Sequence, residues 1–201
     1  SMGTIVDMIS WDSDTVPGLS VGPGDEGKAV YYTRPTPGQP NGGPTLESGG
    51  FAENTGALRI NEMLLKNTFS AIDEDGERSS WVELYNASNG PVDLGDYALS
   101  DNERRLLKWR LPNRQVNAGE YVLVFLSGKD RTGAELHTGF RLGAGETKLY
   151  LTQMSTGTYE AANVPQDPQD NVSYGLSEDG KWLFFPQPTP LAPNTTKGFA
   201  Q

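Results

Sequence analysis

Between Ser80 and Asp101 the chain alternates apolar and polar positions with a period of two. Trp81, Glu83 and Tyr85 fall on one side and Val82 and Leu84 on the other, which predicts a half-buried strand. Asn86 to Pro91 (NASNGP) gathers residues that tolerate positive φ or preset a turn. Val92 and Leu94 resume the apolar rhythm, Gly95-Asp96 breaks it, and Tyr97-Ala98-Leu99 restores it. Strand, turn, strand, kink, strand predicts an antiparallel sandwich.

The same rhythm recurs along the chain. Leu58–Met63 sets Leu58, Ile60 and Glu62 against Arg59, Asn61 and Met63. Lys108–Leu111 reads as a short strand with Trp109 inward, and Tyr121–Leu126 (YVLVFL) as a central strand buried on both faces. Leu136–Leu142 and Lys148–Leu151 read as a pair joined around Gly143–Glu146. Thr158–Val164, Asn171–Tyr174 and Lys181–Phe185 complete the set. No window keeps the i, i+3, i+4, i+7 spacing of an amphipathic helix.

Ahead of this region, residues 3–32 hold two strand-like runs, Thr4–Trp11 and Lys28–Tyr32, separated by a Gly/Asp-rich stretch. Residues 33–57 are dominated by Pro, Gly and small polar residues and read as a linker. Sliding Gly22–Asn41 (GPGDEGKAVYYTRPTPGQPN) onto Gly175–Asn194 (GLSEDGKWLFFPQPTPLAPN) aligns Gly22, Gly27, Lys28, Pro35, Thr36, Pro37, Pro40 and Asn41 with identical residues. Tyr31 and Tyr32 fall on Phe184 and Phe185. This order predicts an internal repeat, with Gly3–Trp11 falling on Gly157–Pro165. Residues 1–32 are then the last two strands of a preceding unit, 58–194 a complete unit and 195–201 a tail. Such a remnant must cover its own chain, pair with a neighbour or remain mobile. The alternative is that residues 3–32 form the first hairpin of one larger domain.

The stretches Leu58–Asn86, Pro91–Asp101, Lys108–Pro112, Ala118–Asp130, Leu136–Leu151 and Val172–Asn194, in this order and spacing, resemble the lamin tail domain, closest to its bacterial surface and secreted variety. The resemblance implies an all-β, immunoglobulin-like β-sandwich of seven to nine strands over residues 58–194. It also implies a non-catalytic structural or protein-interaction module, extracellular or at the cell surface, whose partners are other proteins or neighbouring repeats. No rod of heptads precedes the domain, so the sequence gives no support to a filament role.

Composition sharpens this picture. The 201 residues carry a formal net charge of -10, which argues against a nucleic-acid surface, since phosphate binding rewards clustered Lys and Arg. Hydrophobic residues make up 35%, and 24 Gly with 14 Pro imply many turns, as long-looped all-β chains require. With no cysteine, neither disulfides nor thiolate metal sites are available. No apolar run approaches membrane-spanning length, and no signal peptide is legible.

Four features invite chemistry. Asp73, Asp75 and Glu77, in the turn DEDGE and backed by Asp101, are the candidate calcium ligands, because hard cations want several oxygens from one turn. The turn lacks the twelve-residue loop closed by a bidentate Glu, and an ordinary solvated turn is the competing reading. His137, the only histidine, would carry any hydrolase or nuclease activity, which needs it exposed in a cleft beside carboxylates. A hydrogen-bonded histidine at a strand start is the plainer expectation. Ser127 and Ser155 lack the G-x-S-x-G context of a nucleophile elbow. Trp81, Trp109 and Trp182 lie in strands; buried they are core, but two or three exposed on one face would make the domain a carbohydrate-binding accessory module. Asn86, Asn171 and Asn194 match the glycosylation sequon, a coincidence in a bacterial chain. Neither a catalytic residue nor a cofactor is expected, apart from calcium at the acidic turn. Residues 3–32 are the expected route to self-association.

Overall fold

The computed structural model describes residues 17–24, 29–42, 45–46, 50–142 and 145–200. The expected strand Thr4–Trp11 lies outside them.

Two sheets form the sandwich. The larger holds seven strands in the order β12 (Arg131–Thr132), β13 (Leu136–His137), β11 (Tyr121–Phe125), β6 (Trp81–Asn86), β5 (Leu58–Leu64), β16 (Ser173–Leu176) and β17 (Trp182–Phe185). The smaller runs β4 (Ala52–Glu53), β15 (Thr158–Asn163), β14 (Lys148–Gln153), β8 (Tyr97–Ser100) and β9 (Trp109–Arg110). A two-stranded ribbon pairs β7 (Val92–Asp93) with β10 (Gln115–Val116). Between the sheets pack Leu58, Ile60, Met63, Val82, Leu84, Val122 and Val124 from one side and Tyr97, Leu99, Trp109, Leu149 and Leu151 from the other. Each such aliphatic or aromatic side chain contributes about 1.5–3 kcal/mol by leaving water. The antiparallel sandwich expected from the periodicity, and its immunoglobulin-like form implied by the resemblance, are the architecture observed. The only helical pieces among the described residues are short 3-10 turns such as Leu94–Asp96, at the predicted Gly95-Asp96 kink.

Five expectations are corrected. Residues Leu136–Leu142 and Lys148–Leu151 do not pair: β13 runs parallel to β11 in the larger sheet, while β14 joins β8 and β15 in the smaller. The chain between them crosses from one layer to the other. The alternation of Leu58–Met63 does not persist either, because the register of β5 against β6 shifts between Ile60 and Glu62. This bulge brings Met63 to the core side with Ile60 and leaves Glu62 opposite Glu83. Third, β6 is not half-buried. Its outer face is covered around Trp81, which clusters with Leu64 and Phe125 against Ala71 and Leu123, and Glu83 is fully buried as well. Conversely, Tyr121 and Leu123 of β11 keep partial exposure, so that strand is less enclosed than its apolar run suggests.

The fifth correction concerns the N-terminal region. The partner of β2 (Ala29–Tyr32) is β1 (Ser20–Pro23), inside the stretch read as a separator, and β3 (Thr45–Leu46) adds a third strand from the stretch read as a linker. The pairing of β1 with β2 reproduces that of β16 with β17. Ser20–Tyr32, Val21–Tyr31, Gly22–Val30 and Pro23–Ala29 become Ser173–Phe185, Tyr174–Phe184, Gly175–Leu183 and Leu176–Trp182 when every number is advanced by 153. The pairing of Tyr31 with Leu46 likewise becomes the bridge of Phe184 with Phe199. Gln39 N–H donates to Thr36 O at 3.1 Å as Ala192 N–H does to Thr189 O at 3.0 Å. Gly38 and Leu191, equivalent positions, are both left-handed, at φ +74° and +63°. This small sheet packs on its own chain. Leu19 and Phe51 lie against Ala98, Leu107 and Met154 on the outer face of the five-stranded sheet. Arg110 donates to Thr33 O at 2.7 Å and to Gly18 O at 3.2 Å.

Candidate functional site

The acidic turn closes on itself first. Gly76, at φ +78°, lets the chain reverse, and Asp73 N–H donates to Glu77 O at 2.9 Å. Asp73 Oδ1 then accepts the N–H groups of Asp75 (3.1 Å) and Glu77 (2.8 Å). The structure does bring Asp73, Asp75 and Glu77 together, and Lys129 Nζ stands at their centre, 2.6, 2.6 and 3.0 Å from the three carboxylates. Arg131 reaches Asp75 at 2.7 Å and Glu74 at 3.2 Å. Hydrogen bonds from Lys129 and then Arg131 hold the Asp75 carboxyl down at about 2. Burial works to raise Asp73, but Lys129 and the two backbone donors outweigh it and its pKa falls. Lys129 is desolvated, which opposes its charge, yet the three carboxylates raise it above the usual ammonium value. Asp101, expected to back the turn, instead pairs with Lys108 at 2.7 Å. Residues 121–137 thus supply the positive charge that the sequence left to a cation.

His137 is fully buried. Its Nδ1 lies 3.0 Å from Ser127 Oγ, its Nε2 lies 3.7 Å from Glu135 Oε2, and its ring stacks on Phe125. A hydroxyl, an imidazole and a carboxylate are therefore adjacent, but Ser127 and His137 are sealed from solvent and no substrate carbonyl can reach them. The histidine belongs to the packing of β13.

Of the tryptophans, Trp81 and Trp109 are buried, and Trp109 Nε1 donates to Asp130 at 3.0 Å. Among the tryptophans of the described residues Trp182 alone is partly exposed, in a row of rings in which Tyr174 stacks on Trp182 and contacts Phe184, and Phe184 stacks on Phe199. The rings are turned largely toward one another beside a shallow groove with Val164 and Pro165. The sequon asparagines are structural: Asn86 donates to Gly90 O and Val116 O, and Asn171 accepts from Thr68 and Phe69 N–H. Buried in this way, none offers its amide to an enzyme.

The most unusual arrangement is one that pattern reasoning missed. Glu62 and Glu83 are fully buried and face each other across β5 and β6. Glu62 accepts hydrogen bonds from Ser173 Oγ and from Thr189 N–H at 3.2 Å. Glu83 accepts from Asn61 Nδ2 at 2.8 Å and from Leu191 N–H. Asn194 ties the turn down, donating to Asn61 O at 3.2 Å and Leu176 O at 3.0 Å. Gly175 makes room for it, since a Cβ there would fall 2.7 Å from Asn194 Nδ2 and 3.0 Å from Asn61 O. Burial, with the charge of Glu62 adding to it, pushes Glu83 up to about 8, and burial raises Glu62 as well. At neutral pH the pair therefore retains a proton. Chemically this is a clamp that fixes the segment PTPLAPN (Pro188–Asn194) onto the outer face of the larger sheet. The legible signal was a Glu inside each of two strand-like runs that a sandwich would pair, Glu83 between Val82 and Leu84 and Glu62 between Asn61 and Met63.

Among the described residues no helix is long and apolar enough to cross a membrane. No curated protein matches the chain. The lamin tail domain family model matches residues 52–172, more than half of the chain, from β4 to the threshold of β16. With the immunoglobulin-like sandwich and this match together, the chain belongs to the lamin tail domain family, a family of non-catalytic immunoglobulin-like modules.

Proposed function

We propose that this chain is a structural and protein-interaction module, one unit and the end of another in a tandem array of lamin tail domains within a larger bacterial surface or secreted protein. One observation carries the reading. The hairpin of β1 and β2, its turn and its third strand repeat the pairing of β16, β17 and Phe199 residue for residue at a constant offset. Two unrelated hairpins have no physical reason to share register, turn hydrogen bond and left-handed position at once. Partners are other proteins or neighbouring units. The acidic turn serves this role without a metal, Lys129 and Arg131 offsetting part of the charge of Asp73, Glu74, Asp75 and Glu77 from within.

The exchange of one hairpin for the other tests the reading. A chain whose residues 173–194 carry the sequence of residues 20–41 is expected to unfold cooperatively within about 10 °C of the parent, a loss of roughly 3 kcal/mol. Melting curves with and without calcium are expected to superimpose. Loss of cooperative unfolding in the exchanged chain means that the two hairpins are not equivalent. The carbohydrate-binding reading is left the row Trp182, Tyr174, Phe184 and Phe199; quenching of tryptophan fluorescence by oligosaccharides, abolished in Trp182→Ala, would favour it.

A further inference from the structure

In the complete unit, the edge of β16 is taken by β5, with Tyr174 opposite Met63 and Gly175 opposite Glu62. Ser173, Thr189, Leu191 and Asn194 supply the donors that hold Glu62, Glu83 and the carbonyl of Asn61. Every element of that cradle recurs at the N-terminus. Ser20, Gly22, Thr36 and Asn41 are identical to Ser173, Gly175, Thr189 and Asn194, and Gly38 takes the left-handed place of Leu191. The packing recurs too, since a Cβ on Gly22 would fall 2.6 Å from Asn41 Nδ2. The occupant does not recur. Among the described residues β1 pairs with β2 alone, and Asn41 is exposed where Asn194 is 5% exposed.

Resting on the tandem reading above, we propose that the edge of β1, with Ser20, Thr36, Gly38 and Asn41, is a strand-receiving site. Its partner is a strand of the Leu58–Leu64 type, carrying an Asn-Glu pair, from a preceding unit of the same protein. The edge offers unpaired backbone groups for strand addition. The glycine at Gly22 keeps the approach open for the partner's backbone, as Gly175 does for Asn61 O. The hydroxyl of Ser20 and the N–H of Thr36 are placed for the glutamate of that strand, as Ser173 and Thr189 are for Glu62, and the amide of Asn41 for a main-chain carbonyl. An apolar strand without the glutamate would leave these donors unanswered, so the cradle selects for an acidic residue at one position.

The test titrates the isotope-labelled full chain with a synthetic peptide of residues 57–66 (ALRINEMLLK), followed by amide NMR. Saturable shifts are expected at Val21, Gly22, Thr36 and Gly38 and at the side-chain amide of Asn41. Apparent affinity should fall at least about tenfold for the peptide with Glu62→Ala and for the Asn41→Ala protein, the equivalent of about 1.4 kcal/mol. Three results would overturn the proposal. One is no saturable shift at millimolar peptide; another is shifts confined to the surroundings of Glu62 and Glu83 in the complete unit. The third is the same shifts arising on concentration without peptide, which would make a second copy the occupant. If the exchanged hairpin folds but the peptide does not bind, the occupant is wrong and the tandem reading stands; if the exchanged chain does not fold, both fall.

Discussion

Glu83 shows how one position can set the response of a whole domain to pH. Its carboxyl is raised in the fold to about 8, from 4.5. Unfolding releases it to ionise, so its contribution to stability is complete below about pH 4.5 and is lost as pH rises through 8. Glu160, raised to about 7 by burial although it accepts from Ile60 N–H, acts in the same direction. Asp75 acts in the opposite one: held down at about 2, it contributes above its unfolded value of 3.8 and the contribution is lost as pH falls through 2. Together these groups place the stability maximum between about pH 4 and 5. The melting temperature is expected to fall by several degrees between pH 5 and pH 8.5, and Glu83→Gln to flatten that slope; a parent curve rising over this range would contradict the assignment. In the sequence, Glu83 looks like the polar side of a half-buried strand. Its burial depends on a turn more than a hundred residues away, and no local pattern contains that.

At the scale of the element, the two equivalent hairpins offer an internal control. Alanine at Gly175 would meet Asn194 and the backbone of Asn61, both buried, and is expected to cost about 1–3 kcal/mol in urea unfolding. Alanine at Gly22 meets Asn41 at a similar distance and Tyr32 Cε2 at 3.1 Å, but Asn41 is exposed and can swing aside and no backbone atom is struck, so the cost should be smaller, about 0.5–1 kcal/mol. Equal costs would mean that the N-terminal cradle is already closed. Strand existence was legible wherever apolar residues alternated, as in β6, β9, β15 and β17, because one face must find the core. The bulge at Asn61, the strand β1 hidden among glycines, and the separation of β13 from β14 into different layers were not. Each depends on what lies opposite, and hydrophobic period says nothing about the opposing strand.

For the whole molecule, the N-terminal region meets the sandwich through Leu19 and Phe51, through Arg34, which donates to Gly95 O, and through Arg110. Arg110 is the most exacting of them, since its burial depresses its own pKa while it donates to Thr33 O and Gly18 O. Arg110→Ala is expected to speed proteolytic cleavage within residues 17–42 by about tenfold, the loss of about 1.4 kcal/mol of docking, while leaving the sandwich resistant. Uniform protection of both regions would show that Leu19, Phe51 and Arg34 suffice. The sequence by itself determined the all-β class, the family, the positions of most strands and the likeness of Gly22–Asn41 to Gly175–Asn194. These follow from local periodicity, turn residues and order along the chain. Only the tertiary structure decided that Lys129 sits among Asp73, Asp75 and Glu77 and that His137 and Ser127 are sealed. It alone also set Glu62 and Glu83 as a buried pair clamping a distant turn. Charge pairing and desolvation are properties of neighbours in space, and the fold brings those neighbours together from segments tens of residues apart.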